Sequence, residues 1–199
     1  MFKIGITGGT GSGKTSALRA LERLGALPLD CDAIYHELLS DNEELKSDLE
    51  SRFTGVLCDG RIDRKLLGSI VFSDESALHD LNEITHKYIG RELERRLTDW
   101  ERNGGNIAAI DAIALIESGR GSVCDIVIGI VAPAEKRLTR IMGRDRITRE
   151  QAQLRINAQK PDSFFRENCD VILENLYDTA AEFEQKCIEF FGLMTASSD

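Results

Sequence analysis

The chain has 199 residues, 42% of them hydrophobic and 30% charged, with a formal net charge of −9. That length suits one domain-sized core with room for an insertion, and the acidic balance argues against a nucleic-acid or anionic-membrane binder, which wants basic surface. No apolar run reaches the roughly 18 residues of a membrane span and no stretch reads as a signal peptide, so a soluble, cytoplasmic protein is expected.

Phe2–Thr7 is a short β-branched, apolar run that predicts a strand. Gly8-Gly9-Thr10-Gly11-Ser12-Gly13-Lys14-Thr15 follows and fits G-x-x-x-x-G-K-[ST], the loop that cradles phosphates. Apolar residues at 17, 18, 21 and 24 then predict a helix. The glycines let the backbone turn its N–H groups inward onto phosphate oxygens, and the helix adds the positive end of its dipole. Lys14 would bridge the β- and γ-phosphates of ATP, Thr15 would offer its hydroxyl to Mg²⁺, and Ser16 would complete the nucleotide-binding stretch that starts at Gly8.

Gly25 is a helix stop signal, and Ala26–Leu29 reads as a second strand with Asp30-Cys31-Asp32 at its carboxyl end. Residues 33 to about 52 read as helical with a break near 40–42, residues 55–63 as a loop or turn region, residues 65–72 as a short helix and residues 75–102 as a long amphipathic one. Asn106–Asp111 and Asp125–Val131 are buried-strand patterns. Pro133 suits the first turn of a helix running toward Gly143. Residues 144–159 read as a charged helix, Asp170–Leu173 as a last strand, residues 179–191 as a closing helix and residues 194–199 as a frayed tail. Strands alternating with helices imply a mostly parallel sheet covered on both faces, with ligands at the carboxyl ends of its strands. The roughly 75 residues between the second and third strands exceed a simple crossover and suggest an inserted helical substrate-binding region.

Five cysteines (Cys31, Cys58, Cys124, Cys169, Cys187) without a C-x-x-C pair predict free thiols, and His36, His79 and His86 make a poor metal set. If the chain stays extended through 30–32, Asp30 and Asp32 share a face and one of them could take a proton from an attacking hydroxyl; Asp30 could equally be a helix N-cap. Asp111 ends a hydrophobic strand, where a carboxylate could hold Mg²⁺ through water or cap a following helix. Glu117 could order the site or pair with a basic group. Residues 136–160 carry eight Lys and Arg against Asp145 and Glu150, which suits a lid that cancels charge on a moving phosphoryl group and excludes water. No N-K-x-D motif of the GTPase switches occurs.

Together these pieces resemble the dephospho-CoA kinase family. The likeness rests on Gly8–Thr15, Asp30-Cys31-Asp32, Asp59-Gly60-Arg61-Ile62-Asp63-Arg64, Leu115-Ile116-Glu117, the series Arg140, Arg144-Asp145, Arg155-Ile156 and Gln159, and Asp170–Asn175. His86-Lys87 stands where that family has His-Pro, Ile113 where it has a proline, and Cys31 and Cys169 where it has alanines. The resemblance implies a three-layer α/β/α P-loop fold with a mostly parallel five-stranded sheet and a core over about 1–32, 105–138 and 168–192. It implies a helical acceptor-binding insertion over about 33–104 and a lid over about 139–167. It also implies transfer of the ATP γ-phosphoryl group to the 3′-hydroxyl of dephospho-CoA. By the same likeness Asp32 is the base facing that hydroxyl, Lys14, Arg140 and Arg144 handle phosphates, and Asn175 lies near the adenine. Arg155 is a weaker lid candidate, and Arg64, His86 and Glu117 belong with the acceptor. Another small-molecule P-loop kinase is the alternative.

Overall fold

A computed structural model describes residues 1–112, 115–116 and 120–196 of the chain. It forms two compact units, one of residues 1–29 with the described residues from 100 onward, and one of residues 30–99.

The first unit is built on a five-stranded sheet in the order β2-β5-β1-β6-β7, with β1 Phe2–Thr7, β2 Leu27–Asp30, β5 Ile107–Asp111, β6 Ile126–Val131 and β7 Val171–Glu174. β1 pairs in parallel with β5 on one side (Ile6 opposite Asp111) and β6 on the other (Ile6 opposite Ile128), and β6 pairs in parallel with β7. This central position makes β1 buried on both faces, which is why its sequence reads as a continuous apolar run. Ile4, Ile6 and Thr7 are fully buried. The start of the ladder is fixed by carboxylates: Lys3 N–H donates to Asp125 and Val127 N–H to Asp170, each at 2.7 Å.

On one face lie α1 (Lys14–Arg23) and α9 (Ala180–Ala196), packed closely on each other. Ala17, Ala20 and Leu21 of α1 meet Phe183, Cys187 and Phe191 of α9 and Ile4, Ile6, Ile128 and Ile130 of the sheet in one core. The small residues on α1 admit the phenylalanines of α9. α9 continues through 194–196, which the sequence suggested as frayed; Met194 packs against this core.

Residues 134–168 also depart from expectation. α6 (Ala134–Asp145) ends at Arg146, whose φ of +53° is left-handed, and a second helix, α7 (Arg149–Asn157), starts afresh. The single helix expected over 144–159 is broken because Thr148 caps α7 in a capping box with Gln151, a stronger local signal than the run of helix-forming residues around it. A third helix, α8 (Asp162–Asn168), follows Pro161 and has only 7 residues, too few for a readable period.

The second unit holds α2 (Cys31–Asp41), α3 (Glu43–Arg52), α4 (Arg64–Val71) and most of α5 (Glu75–Arg102), with a small hairpin of β3 (Leu57–Cys58) and β4 (Arg61–Ile62). The region 55–63 expected as loop contains this hairpin. Asp59 and Gly60 form its turn with φ of +49° and +74°, the pair of left-handed residues that a two-residue hairpin turn demands. Glu50 holds it by accepting the N–H groups of Gly55 and Leu57 at 2.8 and 2.7 Å. Asp63 then caps α4, accepting from Lys65 and Leu66 N–H, each at 3.0 Å. The helical break expected near 40–42 falls at Asn42, whose side chain caps α3.

Glu92 on α5 is bonded by Arg95 and Arg96 at 2.7–2.8 Å, and Arg96 also reaches Glu37 on α2. The hydrogen bond from Arg95, with help from Arg96, brings the Glu92 carboxyl down to about 2. A carboxyl depressed from its ordinary value near 4.5 stabilises the fold above about pH 5 and loses that contribution as pH falls toward 2. Glu92→Gln is therefore expected to lower the melting temperature at pH 7, with the gap from the parent closing as pH falls from 5 toward 2, as read by circular dichroism.

Among the described residues no helix is long and apolar enough to cross a membrane. Among the described residues no cysteine is in a disulfide, and burial raises the Cys124 and Cys187 thiols to about 11 and about 12, leaving them protonated and unreactive at neutral pH.

Candidate active site

The loop between β1 and α1 is the centre of the first unit's site. Gly13 has φ +117°, where a side chain is strained, and a Cβ there would lie 2.4 Å from Asn175 Nδ2 and 2.9 Å from the Phe183 ring. Glycine at this position lets the loop sit directly on the core and feed into α1. Gly13 itself is the N-cap residue of α1, with no side chain capping the helix and no acidic residue in the first turn. The N-terminal N–H groups of a ten-residue helix and the positive end of its dipole are thus presented by the loop, as an anionic ligand requires. Lys14 is the first residue of that helix, and its Nζ donates to the Gly8 carbonyl at 2.9 Å, so the ammonium is drawn back across the loop. Thr15 is exposed in the first turn, while Ser16 and Ser12 are buried, with the Ser12 hydroxyl lacking a hydrogen-bond partner among the described residues.

The back of the loop is held by four side chains from distant parts of the chain. Arg140 Nη1 donates to the carbonyls of Gly11 at 3.0 Å and Ser12 at 3.4 Å. Its Nη2 donates to Asn175 Oδ1 at 3.0 Å and to the Tyr177 carbonyl at 2.7 Å. Asn175, 3% exposed, donates Nδ2 to the Ser12 carbonyl at 2.7 Å. Arg137 and Gln159 grip Thr10 in the same manner. Burial lowers the pKa of both guanidinium groups from the usual arginine value, Asp162 opposing this at Arg137 and Asp178 at Arg140.

This network is where the structure adds most to the sequence reading. The basic stretch 136–160 suggests a lid that cancels phosphoryl charge and excludes water, and within it Arg137 is buried and Arg140 half-buried against the loop. Arg137, Arg140 and Arg144 stand at i, i+3 and i+7, one face of α6, and that spacing is the signal that could have singled out Arg137. Arg144, at the exposed end of this face, is bonded to Asp145 at 2.7 and 3.0 Å, and Arg155 joins the same carboxylate at 2.5 Å.

Asp111 ends β5 opposite Ile6 and is 9% exposed. Asp111 and Thr15 offer only hard oxygen donors, and among the described residues no group of three or more His, Cys, Asp or Glu is arranged to hold a metal. That donor set fits Mg²⁺, which takes one or two protein oxygens and fills its shell with substrate phosphates and water. Glu117, with Ile113 and Ala114 of the aliphatic motif, lies outside the described residues; Leu115 is fully buried.

In the second unit, the chain does not stay extended through 30–32. Asp30 caps α2, its Oδ1 accepting from Asp32 and Ala33 N–H at 2.9 and 3.1 Å. Asp32 is therefore turned into the first turn of α2, where it is exposed, and the two carboxylates do not share an extended face. The helix wins because an aspartate at this junction satisfies two otherwise unpaired N–H groups. Tyr35 lies one turn on from Asp32, on the same side of α2. Burial raises the Tyr35 phenol, and the charge of Arg64, the exposed first residue of α4, opposes that rise. The structure thus brings Arg64 toward the face of α2 that carries Asp32. His86 is half-buried on α5 beside Lys87, which pairs with Asp48 at 3.5 Å.

The family model described as dephospho-CoA kinase matches residues 2–180. The chain belongs to that family. A dephospho-CoA kinase of Geobacter sulfurreducens is 37% identical over 191 residues, covering 95% of this chain and 96% of the relative. Among solved structures, a Thermus thermophilus protein superposes with a TM-score of 0.82 at 28% identity, covering 98% of this chain and 97% of its own. The dephospho-CoA kinase of Campylobacter jejuni superposes with a TM-score of 0.71 at 26% identity, over 99% of this chain and 98% of that one. The dephospho-CoA kinase likeness therefore spans the sheet, the glycine loop and the second unit together, and the architecture is that of a P-loop kinase.

Proposed function

We propose that this chain carries out the dephospho-CoA kinase reaction, moving the ATP γ-phosphoryl group to the 3′-hydroxyl of dephospho-CoA to give CoA and ADP, with its residues in the following roles. The observation that carries the reading is the uncapped amino end of α1, delivered by a glycine loop whose carbonyls are tied away behind it. With the carbonyl dipoles of Gly11 and Ser12 held by Arg140 and Asn175, the loop turns a positive field toward bound phosphates.

The chain Gly8–Ser16 binds the triphosphate. Lys14, on leaving the Gly8 carbonyl, meets the β- and γ-phosphates and follows the negative charge as it shifts to the leaving oxygen. The Thr15 hydroxyl, with Asp111 through water, would hold Mg²⁺, which would supply charge neutralisation on the phosphates. Arg140 adds positive potential from behind the loop, Asn175 borders the adenine region, and Arg144, exposed at the end of α6 and paired with Asp145, handles phosphates. Asp32 accepts the proton of the 3′-hydroxyl; Arg64, His86 and Glu117 hold the acceptor.

The test is incubation with γ-labelled ATP, Mg²⁺ and dephospho-CoA. Label in CoA at the 3′ position is the expected outcome; label in another alcohol acceptor but not in CoA would favour a different small-molecule kinase. Within this scheme Lys14→Met should lower kcat by about 10²–10³-fold, the loss typical of one preorganised charge donor.

A further inference from the structure

Among the described residues, Thr10 of the loop is bonded through its N–H, its carbonyl and its hydroxyl by two side chains, Gln159 and Arg137. Gln159 Oε1 accepts from Thr10 N–H at 2.8 Å, and Gln159 Nε2 donates to Thr10 Oγ1 at 2.6 Å. Arg137 Nε donates to the Thr10 carbonyl at 2.9 Å, and Arg137 Nη2 donates to the same Gln159 Oε1 at 3.0 Å. Arg137 is 5% exposed and its Nη1 faces Asp162 at 3.4 Å. A Cβ on Gly9 would lie 2.3 Å from Arg137 Nη2, so the guanidinium lies flat against the loop and glycine is needed beneath it.

The N–H, carbonyl and hydroxyl of one peptide are thus clamped by two side chains that also hold each other. Gln159 sits in the short connection between α7 and α8, and Arg137 on α6. We infer that Arg137 and Gln159 are positioning residues for ATP: they lock the first half of the glycine loop in its phosphate-binding shape and tie that shape to the placement of the α7–α8 connection. This rests on the loop being the ATP cradle. Neither side chain needs to touch the nucleotide. A displaced α7–α8 connection releases Thr10, and the loop loses its pre-set form; a loop filled by phosphate holds the connection in place. Binding and segment position are two ends of one network, so each must influence the other.

The experiment is equilibrium ATP binding by calorimetry to the full chain and to Gln159→Leu, Arg137→Met and the double variant, with hydrogen exchange at the Thr10 amide. Each single change is expected to weaken ATP about 10- to 100-fold, since it breaks two or more bonds around one peptide. The double variant should be little worse than the poorer single one, because both act on Thr10. Gln159→Leu should speed Thr10 amide exchange, keep dephospho-CoA affinity within about threefold and keep the melting temperature near the parent. ATP affinity unchanged in Gln159→Leu while Thr10 exchanges faster would overturn the inference. So would equal losses for both substrates with a lowered melting temperature, the mark of a merely structural role. Should Arg137→Met fail to fold, Gln159→Leu decides alone. The readout is ATP binding, so a chain that phosphorylates some other acceptor would sink the proposed reaction and leave this test intact.

Discussion

Asp32→Asn lowers phosphoryl transfer by about 10²–10⁴-fold, the span expected for loss of a general base, while ATP binding stays near that of the parent. The asparagine keeps the size and the hydrogen-bonding shape of the side chain but cannot take a proton. Asp32 is exposed, and its backbone N–H, which Asp30 caps, is unchanged in the variant, so Asp32→Asn should fold as the parent does. The measurement is single-turnover transfer from labelled ATP, paired with calorimetric ATP affinity. Asp30→Asn serves as the contrast: asparagine is as good an N-cap as aspartate, so transfer should fall little. Transfer near the parent rate in Asp32→Asn would remove Asp32 from its role; a large loss in Asp30→Asn would shift the role to its neighbour.

Phe183→Ala is expected to cost about 3–5 kcal/mol of folding stability, the range for truncating a buried phenylalanine. For a chain of this size that is a fall of about 6–20 °C in melting temperature. Phe183 is 1% exposed and lies in the cluster that joins α1, α9 and the sheet. The reach of the change should exceed the core. The ring lies where a Cβ on Gly13 would approach to 2.9 Å, so it forms the floor under the glycine that starts α1. ATP affinity should therefore drop along with stability, and Phe183→Leu, which fills most of the volume, should recover much of both. Calorimetric unfolding with and without ATP separates the two effects.

The parallel sheet and its glycine loop were legible because their signals are local and strong. Strands buried on both faces, such as Phe2–Thr7 and Ile126–Val131, read as unbroken apolar runs, and the loop motif falls between one of them and an amphipathic helix. The hairpin at 57–62 was not, because two-residue strands carry no alternation to detect. Asp30 illustrates a second limit. An aspartate after a strand suits an extended chain or a helix cap equally well, and the competition is decided by whether the next residues can bury a helical face, as Ile34 and Leu38 do. The clamp on Thr10 was illegible for a third reason. Its partners lie 127 and 149 positions away, and the helical spacing that puts Arg137, Arg140 and Arg144 on one face does not say what that face meets until α6 is laid against the loop.

The packing of α9 on α1 also bears on how the molecule is made. The glycine loop leaves the ribosome well before its floor (Phe183) and one of its rear supports (Asn175) are synthesised. A nascent chain halted before residue 175 holds the whole phosphate motif and still has no finished cradle. Nucleotide accordingly meets a finished cradle only after residue 183 has been made, and it cannot guide the folding of the stretch synthesised before then.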